Sequence, residues 1–399
     1  MLCAAYVASQ FYRVANAAIA PELMAELSLS AEAMGVVTGL FFLAFAAAQI
    51  PAGVLLDRFG PRRTMSGLFA LAVLGALVFA IADGAALLGL GRVLIGLGCA
   101  AGLMGSMVVI ARWYPESRFA HLSATLFVVG GAGTLLGTTP LAGAVEFVGW
   151  RGAFHAMAAL TAVFALALYL VVRDAPPGRR HEAEGESWGE VWQGLRAVVA
   201  NGQLWLVAAI QFVGYASVLT VIGLWGGPYL SDVHGLAPVP RGNMLLALNV
   251  AALAGVMAWG QIDRLVASRK WLIVSAACLT AAVLTVLALW PAPGLWLAGL
   301  LLVLFAACGS YVMLNHAFAR RILPDHLVGR GLTFQNLAVF LGISAIQSAS
   351  GVIVGGFESQ GTAAPEVAYR AVFGFLAVLL VISALVFAFA REERARPVA

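Results

Sequence analysis

Long apolar runs recur along the whole sequence, and this pattern constrains the fold more than any other feature. A run of about 18 or more apolar residues can cross a bilayer as a helix, because lipid offers the backbone no hydrogen-bonding partner outside the helix itself. Twelve runs of this kind are present. They lie at residues roughly 2–20, 33–56, 65–82, 86–111, 121–145, 152–172, 204–228, 243–263, 271–290, 295–318, 331–354 and 371–390.

The composition agrees with a chain that lies mostly in lipid. Of the 399 residues, 62% are apolar and 11% are charged, and the mean hydropathy is +0.94. These values lie outside the usage of soluble globular domains. The segments between the runs are short and leave no room for a separate soluble domain. The sequence therefore predicts an all-α membrane protein with twelve transmembrane helices.

The basic residues predict the orientation of these helices. If the N-terminus is inside, eighteen of the 23 Arg and Lys residues fall in cytoplasmic segments, and only Arg151, Arg241 and Arg370 fall on the opposite side. This asymmetry follows the positive-inside rule. We therefore expect both termini in the cytoplasm. The abundance of Arg, Ala and Gly over Lys indicates a bacterial genome of high GC content, and for a bacterial protein we expect the inner membrane. The net charge of +4 is explained by this asymmetry and does not indicate nucleic-acid binding.

A charged stretch follows the second apolar run and is repeated later in the chain. It reads Gly53-Val-Leu-Leu-Asp57-Arg58-Phe-Gly-Pro-Arg62-Arg63. A looser copy begins at Gly260, continues with Asp263 and Arg264, and is followed by Arg269 and Lys270. The pattern G-x-x-x-D-R-x-G-x-R-R resembles the signature loop of the major facilitator superfamily, which joins the second and third membrane helices.

The resemblance implies two pseudo-symmetric six-helix bundles, with a solute bound at mid-depth between them and moved by alternating access. The bundles would span residues 1–172 and 204–390. A cytoplasmic linker at 173–203, with an amphipathic helix near 188–199, would join them, and 391–399 would form a cytoplasmic tail. The two charged loops are predicted to form a cytoplasmic gate in which Asp57 holds neighbouring helix ends only while the halves are closed inward. The predicted gate residues are Gly53, Asp57, Arg58, Arg62, Arg63, Asp263 and Arg264.

Arg13 lies in the middle of the first apolar run. With Tyr6 and Gln10 it shares one helical face, and it lies about 16 Å from the start of the helix at ~1.5 Å per residue. A guanidinium near the bilayer midplane normally faces a cavity or a partner, and the sequence offers no carboxylate at comparable depth. We predict that Arg13 binds an anionic or strongly polar solute. The alternative, that backbone carbonyls and amides satisfy Arg13, stays open.

Other polar residues recur inside the apolar runs of the second half. Gln211 and Tyr215 share a face of the seventh run, which is the repeat partner of the first. Each of these residues either forms a hydrogen bond between helices or binds the solute. The predicted substrate-binding residues are Gln10, Arg13, Gln211, Tyr215, Tyr311 and Asn315.

Proton coupling is implied by a second motif. Gly91-Arg92-x-x-x-Gly96-x-Gly98 is similar to the R-x-x-x-G-x-G pattern of the superfamily, in which the arginine is linked to proton coupling. Arg92 and His316 are therefore the coupling candidates. The apolar runs contain no Asp or Glu at mid-depth, so solute exchange and facilitated uptake stay open as well.

Four other functions were weighed against transport of a small polar or anionic solute. A copper importer would need soft ligands at helical spacing, and only Met104 with Met107 and His155 with Met157 approach that. A drug efflux antiporter is disfavoured because the motif at residues 130–144 departs from the antiporter pattern. A sensor would need an added signalling domain. An enzyme would need clustered catalytic groups. The four cysteines are scattered, so we expect no metal and no cofactor, and a monomer in the lipid bilayer.

Overall fold

The computed structural model describes residues 1–174, 189, 196, 198–291, 293–322, 328–359 and 365–392, and nearly all of them are helical. In chain order the helices are α1 Leu2–Leu27, α2 Ala31–Ala80, α3 Ala85–Cys99, α4 Ala101–Trp113, α5 Glu116–Leu136, α6 Thr139–Val171, α7 Gly202–Thr220, a π-helix Val221–Trp225, α8 Gly226–Asp232, α9 Pro238–Leu265, α10 Arg269–Leu289, α11 Leu295–Gly309, a 3₁₀ helix Ser310–Val312, α12 Met313–Ile322, α13 Val328–Ser359 and α14 Pro365–Phe387.

The predicted all-α membrane fold is confirmed, whereas the count of twelve spans is not established. Ten helical segments of the described residues are long and apolar enough to cross a membrane. The second and third predicted runs lie in two helices that follow each other within α2, on either side of the non-helical residue Gly60. Helix α1 is not among the ten, because its polar residues, among them Gln10, Arg13 and Asn16, lower its hydropathy.

Gly60 is the point at which α2 changes direction. Its φ of 78° and ψ of 162° lie in a region that is essentially restricted to glycine. A Cβ atom at this position would lie 2.4 Å from the carboxyl carbon of Asp174. Both the backbone conformation and the approach of Asp174 therefore require a residue without a side chain.

The described residues belong to two compact units. Unit 1 comprises Met1–Glu186, Gly223–Leu246 and Gln347–Val352, and unit 2 comprises Ser187–Ile222, Ala247–Ile346 and Ile353–Ala399, each as far as the structure describes them. These bounds are not the predicted bundle boundaries, and the division into halves at residues 173–203 stays a prediction. The greater part of the predicted linker, including most of its amphipathic helix, lies outside the described residues.

Helix α1 runs through the interior of unit 1, where small residues let other helices approach its backbone and that of α2. A Cβ on Gly227 of α8 would lie 1.8 Å from the carbonyl oxygen of Ala17, and one on Gly96 of α3 would lie 2.3 Å from that of Phe41. Such close contacts between backbones are typical of helix packing in membranes. They bury α1 continuously from Phe11 to Ala20.

Unit 2 has a separate apolar core. Side chains from α7, α10, α12 and α14 meet there, among them Ile210, Ile273, Phe318 and Phe387. Tyr311, on the 3₁₀ helix, is buried in the same core. This packing determines where the polar residues of α7 and α12 lie.

Candidate functional site

Helix α1 places a row of polar side chains inside unit 1. Ser9, Arg13 and Asn16 are buried, and Gln10 is half-buried, with its Oε1 atom buried and without a hydrogen-bonding partner among the described residues. These positions follow the spacing of one helical face. The predicted face around Gln10 and Arg13 therefore points into the unit.

Two guanidinium groups lie over a stack of aromatic rings in this interior. Arg13 is 9% exposed, and its Cζ atom lies 4.7 Å from the centre of the Phe45 ring. Arg92 is fully buried, and its Cζ atom lies 4.5 Å from the centre of the Phe41 ring. The two rings stack with centres 6.0 Å apart. Both arginines thus make cation–π contacts with consecutive turns of α2.

Arg92 is anchored to the backbone of α1. Its Nη1 atom donates a hydrogen bond to the carbonyl oxygen of Tyr12 at 2.7 Å, and the Tyr12 hydroxyl lies 3.0 Å from that of Thr161. The Nε and Nη2 atoms of Arg92 have no hydrogen-bonding partner within the part of the chain that the structure describes. Two further donors of Arg92 can therefore bind a polar ligand or water.

Asn16 and Thr38 join α1 to α2 beside these arginines. Asn16 Nδ2 donates to Thr38 Oγ1 at 3.0 Å, and the Thr38 hydroxyl donates to the carbonyl oxygen of Met34 at 2.9 Å. Both side chains are fully buried. Asn16 Oδ1 accepts no hydrogen bond from any described residue.

Unit 2 contains a neutral polar cluster. Asn315 Nδ2 donates to Gln211 Oε1 at 2.7 Å, and Gln211 Nε2 lies 3.3 and 3.4 Å from the two ring nitrogens of His316. Asn336 Oδ1 lies 3.4 Å from His316 Nε2. The structure thus brings together the predicted residues Gln211 and Asn315, and it adds the coupling candidate His316 to them.

The two predicted tyrosines lie at other points of unit 2. Tyr311 is buried, and its hydroxyl would lie 2.9 Å from a Cβ atom on Gly214. That hydroxyl makes no hydrogen bond with the described residues. Tyr215 is half-buried against the apolar core. The Tyr311 hydroxyl is therefore bonded to neither Gln211 nor Asn315.

The first charged loop uses residues other than Asp57. Asp57, Arg58 and Arg63 are exposed, and the Asp57 carboxylate has no bonded partner among the described residues. The backbone N–H of Arg62 instead donates to Asp174 Oδ1 at 2.8 Å. The Arg62 side chain donates to the carbonyl oxygen of Tyr169 at 2.6 Å and lies over that ring. Gly53 faces the sulfur of Met104, which would lie 3.7 Å from a Cβ atom there.

The second charged loop has a closed set of contacts. Asp263 forms an ion pair with Arg269, whose Nε donates to Asp263 Oδ1 at 2.7 Å. Glu392 accepts from the backbone N–H groups of Arg269, at 2.8 Å, and Lys270, and from the hydroxyl of Ser268. A carboxylate at a helix N-terminus satisfies donors that the helix cannot satisfy itself. Lys270 Nζ lies 5.1 Å from the centre of the Trp271 ring, and Arg264 is exposed.

Ion pairs also join the other end of α1 to neighbouring segments of unit 1. Glu22 pairs with Arg241, which is 2% exposed and also donates to the carbonyl oxygen of Ala18 at 2.8 Å. Glu26 pairs with Arg151 and accepts from the indole N–H of Trp150 at 2.6 Å. The positive-inside rule places Arg241 and Arg151 on one side of the membrane but does not identify their acidic partners.

The copper alternative depended on sulfur and imidazole ligands. Within the described residues, no group of three or more His, Cys, Asp or Glu side chains is placed to hold a metal ion. The sulfur of Met107 accepts a hydrogen bond from Ser123 at 3.4 Å, and His155 is exposed, with its Nδ1 atom 2.8 Å from the carbonyl oxygen of Arg151.

Several of these residues were not predicted from the sequence, although signals for three of them were present. Asn16 is a polar residue inside an apolar run, three positions after Arg13, and therefore on the same face of the helix. Asp174 and Glu392 each follow an arginine at the end of the last helix of a predicted half. The contacts of Glu22 and Thr38 depend on tertiary packing, which periodicity does not reveal.

Known proteins resemble this chain along most of its length. The model of the Major Facilitator Superfamily matches residues 1–347. A putative tartrate transporter of Agrobacterium vitis is 23% identical over 278 residues, 65% of this chain and 63% of that protein, so the match spans less than two thirds of this relative. The probable nitrate/nitrite transporter NarK2 of Mycobacterium tuberculosis is 26% identical over 317 residues, 76% of this chain and 75% of that protein. The probable sulfoacetate transporter SauU of Cupriavidus necator is 25% identical over 248 residues, 59% of this chain and 57% of that protein.

Solved structures share the fold. A bacterial homologue of the human lysosomal transporter Spinster, in an inward-facing and occupied conformation, has a TM-score of 0.80 at 19% identity, covering 100% of this chain and 97% of that one. The xylose transporter XylE from E. coli, in an inward open conformation, has a TM-score of 0.72 at 16% identity, covering 99% and 97%. At these identities the likeness concerns the fold alone.

Proposed function

The chain belongs to the major facilitator superfamily, and from this premise we propose that it is a secondary transporter of a small anionic solute, with Arg13 as the residue that binds the anionic group. Membership points to a multi-pass membrane transporter of small solutes rather than to an enzyme. The anionic character of the solute and the roles of individual residues are the content of the proposal.

The observation that carries the proposal is the pair of guanidinium groups over the Phe41–Phe45 stack. Two positive charges inside an apolar unit repel each other, and removing each from water is costly. An anion that enters this interior lowers both costs. Guanidinium groups also match the geometry of carboxylates and other oxyanions, with two parallel hydrogen bonds.

Arg92 supports this role through its free donors. Its Nε and Nη2 atoms are buried without a hydrogen-bonding partner among the described residues, whereas its Nη1 atom is held by the Tyr12 carbonyl. A ligand that accepts from these donors replaces hydrogen bonds that the described protein does not supply. The role of Arg92 in proton coupling, like that of His316, stays a part of the proposal.

The relatives transport anions according to their names. Tartrate, nitrate or nitrite, and sulfoacetate are all negatively charged. These names describe those proteins, which are 23 to 26% identical to this chain. For this chain they favour an anion over a cationic drug or a copper ion, which remain the alternatives to be tested.

Within unit 2, Gln211 and Asn315 stay predicted binding residues for a polar solute. Their mutual hydrogen bond fixes both amides, and Asn315 Oδ1 has no hydrogen-bonding partner among the described residues. We further propose a monomer in the bacterial inner membrane with both termini in the cytoplasm, and Asp57 as a gate residue that is engaged in another conformation.

The test is thermal unfolding of the purified protein in detergent with single candidate ligands. The panel contains tartrate, succinate, nitrate, sulfoacetate, xylose, a cationic drug and Cu⁺. A ligand that binds only the folded state stabilises it by about 2.7 kcal/mol at a hundred times its Kd. We expect at least one anion to raise the melting temperature of the wild type and not that of Arg13→Gln. Arg320→Gln changes an exposed arginine in the same way and should respond like the wild type.

Two results would contradict the proposal. One is stabilisation by xylose, the drug or Cu⁺ with no response to any anion. The other is an anion response that Arg13→Gln retains in full, which would make Arg13 a structural residue.

A further inference from the structure

The hydrogen bonds around Asn16 determine which way its amide points. The Thr38 hydroxyl has one proton, and it donates that proton to the Met34 carbonyl. Toward Asn16 this hydroxyl can therefore only accept, so the Nδ2 group faces Thr38 and the Oδ1 atom faces away. Asn16 thus presents a fixed acceptor to its surroundings.

That acceptor is buried and unused by the described residues. Asn16 is 0% exposed, and its Oδ1 atom has no hydrogen-bonding partner among them. A buried acceptor without a donor costs about 1–3 kcal/mol. A polar atom held in this state by a second residue is best explained by a ligand that supplies the missing donor.

We propose that Asn16 is a specificity-determining residue that accepts a hydrogen bond from a hydroxyl group of the solute, so that the transporter selects hydroxylated organic anions over the same carbon skeleton without the hydroxyl. This inference rests on the proposed function, because it places the anionic group of the same solute at Arg13. It goes further by naming the group that distinguishes one anion from another.

Position and charge both select a hydroxyl as the donor. Residues three apart on a helix have Cβ atoms about 5–6 Å apart, which a short hydroxy acid can bridge between Arg13 and Asn16. An ammonium donor would be repelled by Arg13 and Arg92, which lie in the same interior. Nitrate carries no proton to donate, so it would leave Asn16 Oδ1 unpaired.

The experiment compares two dicarboxylates that differ only in hydroxyl groups. Tartrate and succinate are titrated against the purified protein, and the ratio of their Kd values is measured by thermal shift and by calorimetry. One hydrogen bond of ordinary strength corresponds to about tenfold in affinity. We expect the wild type to bind tartrate at least about tenfold more tightly, and Asn16→Ala to bring the ratio close to one by weakening tartrate alone.

Thr38 provides an independent test of the amide's orientation. Thr38→Val removes the hydroxyl that holds the amide, so the preference for tartrate should fall, although Thr38 is not expected to contact the solute. Thr38→Ser retains the hydroxyl and should restore the preference. Ser106→Ala is the matched control, since Ser106 is also buried in unit 1 and donates to the carbonyl oxygen of Gly102 at 2.7 Å.

The outcomes separate this inference from the proposed function. If both dicarboxylates bind in an Arg13-dependent manner and Asn16→Ala leaves their ratio unchanged, Asn16 Oδ1 holds only a buried water, and the inference is wrong while the proposed function stands. If the wild type binds neither these nor any other anion of the panel, the proposed function fails and the inference fails with it.

Discussion

The two charged loops contain the same residue types but use them in different contacts. In the second loop, Asp263 is paired with Arg269, and both side chains are largely buried, 16% and 14% exposed. In the first loop, Asp57 is exposed and bonds to none of the described residues. The contact that the two loops have in common is made by an acidic residue outside the motif. Asp174 accepts from the N–H of Arg62, and Glu392 accepts from that of Arg269.

The contact that both loops make in this structure is the one between a carboxylate and backbone N–H groups. Asp174 and Glu392 each follow the last helix of a predicted half and bond to backbone N–H groups at the start of an earlier helical segment. In each case the carboxylate places a negative charge at a helix N-terminus, where it is stabilising. The aspartate of the motif is engaged in one loop only, and the role of Asp57 as a gate residue stays a proposal.

The largest effect is expected at the bend of the first loop. Gly60→Ala should destabilise the protein by about 2–4 kcal/mol, because the backbone is in a glycine-only region and the new methyl group would collide with Asp174. Gly260→Ala in the second loop is the matched control, since a Cβ atom there meets nothing within 4 Å. Thermal melting in detergent measures both. Equal melting temperatures would mean that the bend at Gly60 is not a fixed feature.

The two motif aspartates should differ in stability. Asp263→Asn removes the charge that pairs with Arg269 and should cost about 1–2 kcal/mol, between the ranges for exposed and buried pairs. Asp57→Asn should change stability by less than about 0.5 kcal/mol, as an exposed substitution does, yet it should slow transport if Asp57 is a gate residue. Melting curves and uptake into proteoliposomes measure the two quantities. Equal losses of stability would remove the proposed asymmetry between the loops.

The smallest losses of stability are expected for the capping residues Asp174 and Glu392, and the two losses should be similar. Asp174→Ala and Glu392→Ala should each cost about 1 kcal/mol, the usual loss for removing a side chain that caps a helix. Glu146→Ala removes an exposed carboxylate of α6 and serves as the control. High salt should not abolish the losses, because the bonds run to backbone N–H groups. A melting temperature unchanged in both variants would show that the caps contribute nothing.

The fold could be predicted because its signal is local. Most residues of every apolar run are helical, since lipid leaves the backbone no alternative, although the run at 121–145 is interrupted between α5 and α6. The connections between helices could not be read in this way, because hydropathy does not reveal that the two helices within α2 are joined at the single non-helical residue Gly60. Among the described residues, helix α1 is not one of the ten segments apolar enough to cross a membrane, because the polar residues that suggest a functional role also lower its hydropathy.

The candidate site was predicted only in part, for a different reason. Arg13 stands out because a charge in an apolar run is rare, and Gln211 and Asn315 stand out because they are neutral polar residues in such runs. Arg92 was recognised through a motif, but its stacking on Phe41 beside Arg13 was not predictable, because it depends on how α2 and α3 pack. Asn16 was overlooked because its role depends on the hydrogen bond that the Thr38 hydroxyl donates to Met34, which fixes the orientation of the Asn16 amide.

Lys270 allows the second loop to be labelled selectively. It is the only lysine of the sequence, and it lies at the start of α10, where Glu392 accepts from its backbone N–H, with its amine beside Trp271. An amine-reactive dye therefore labels one side chain, without any engineered cysteine. Since indole rings quench many dyes on contact, the brightness of that label reports whether the loop opens as solute passes through.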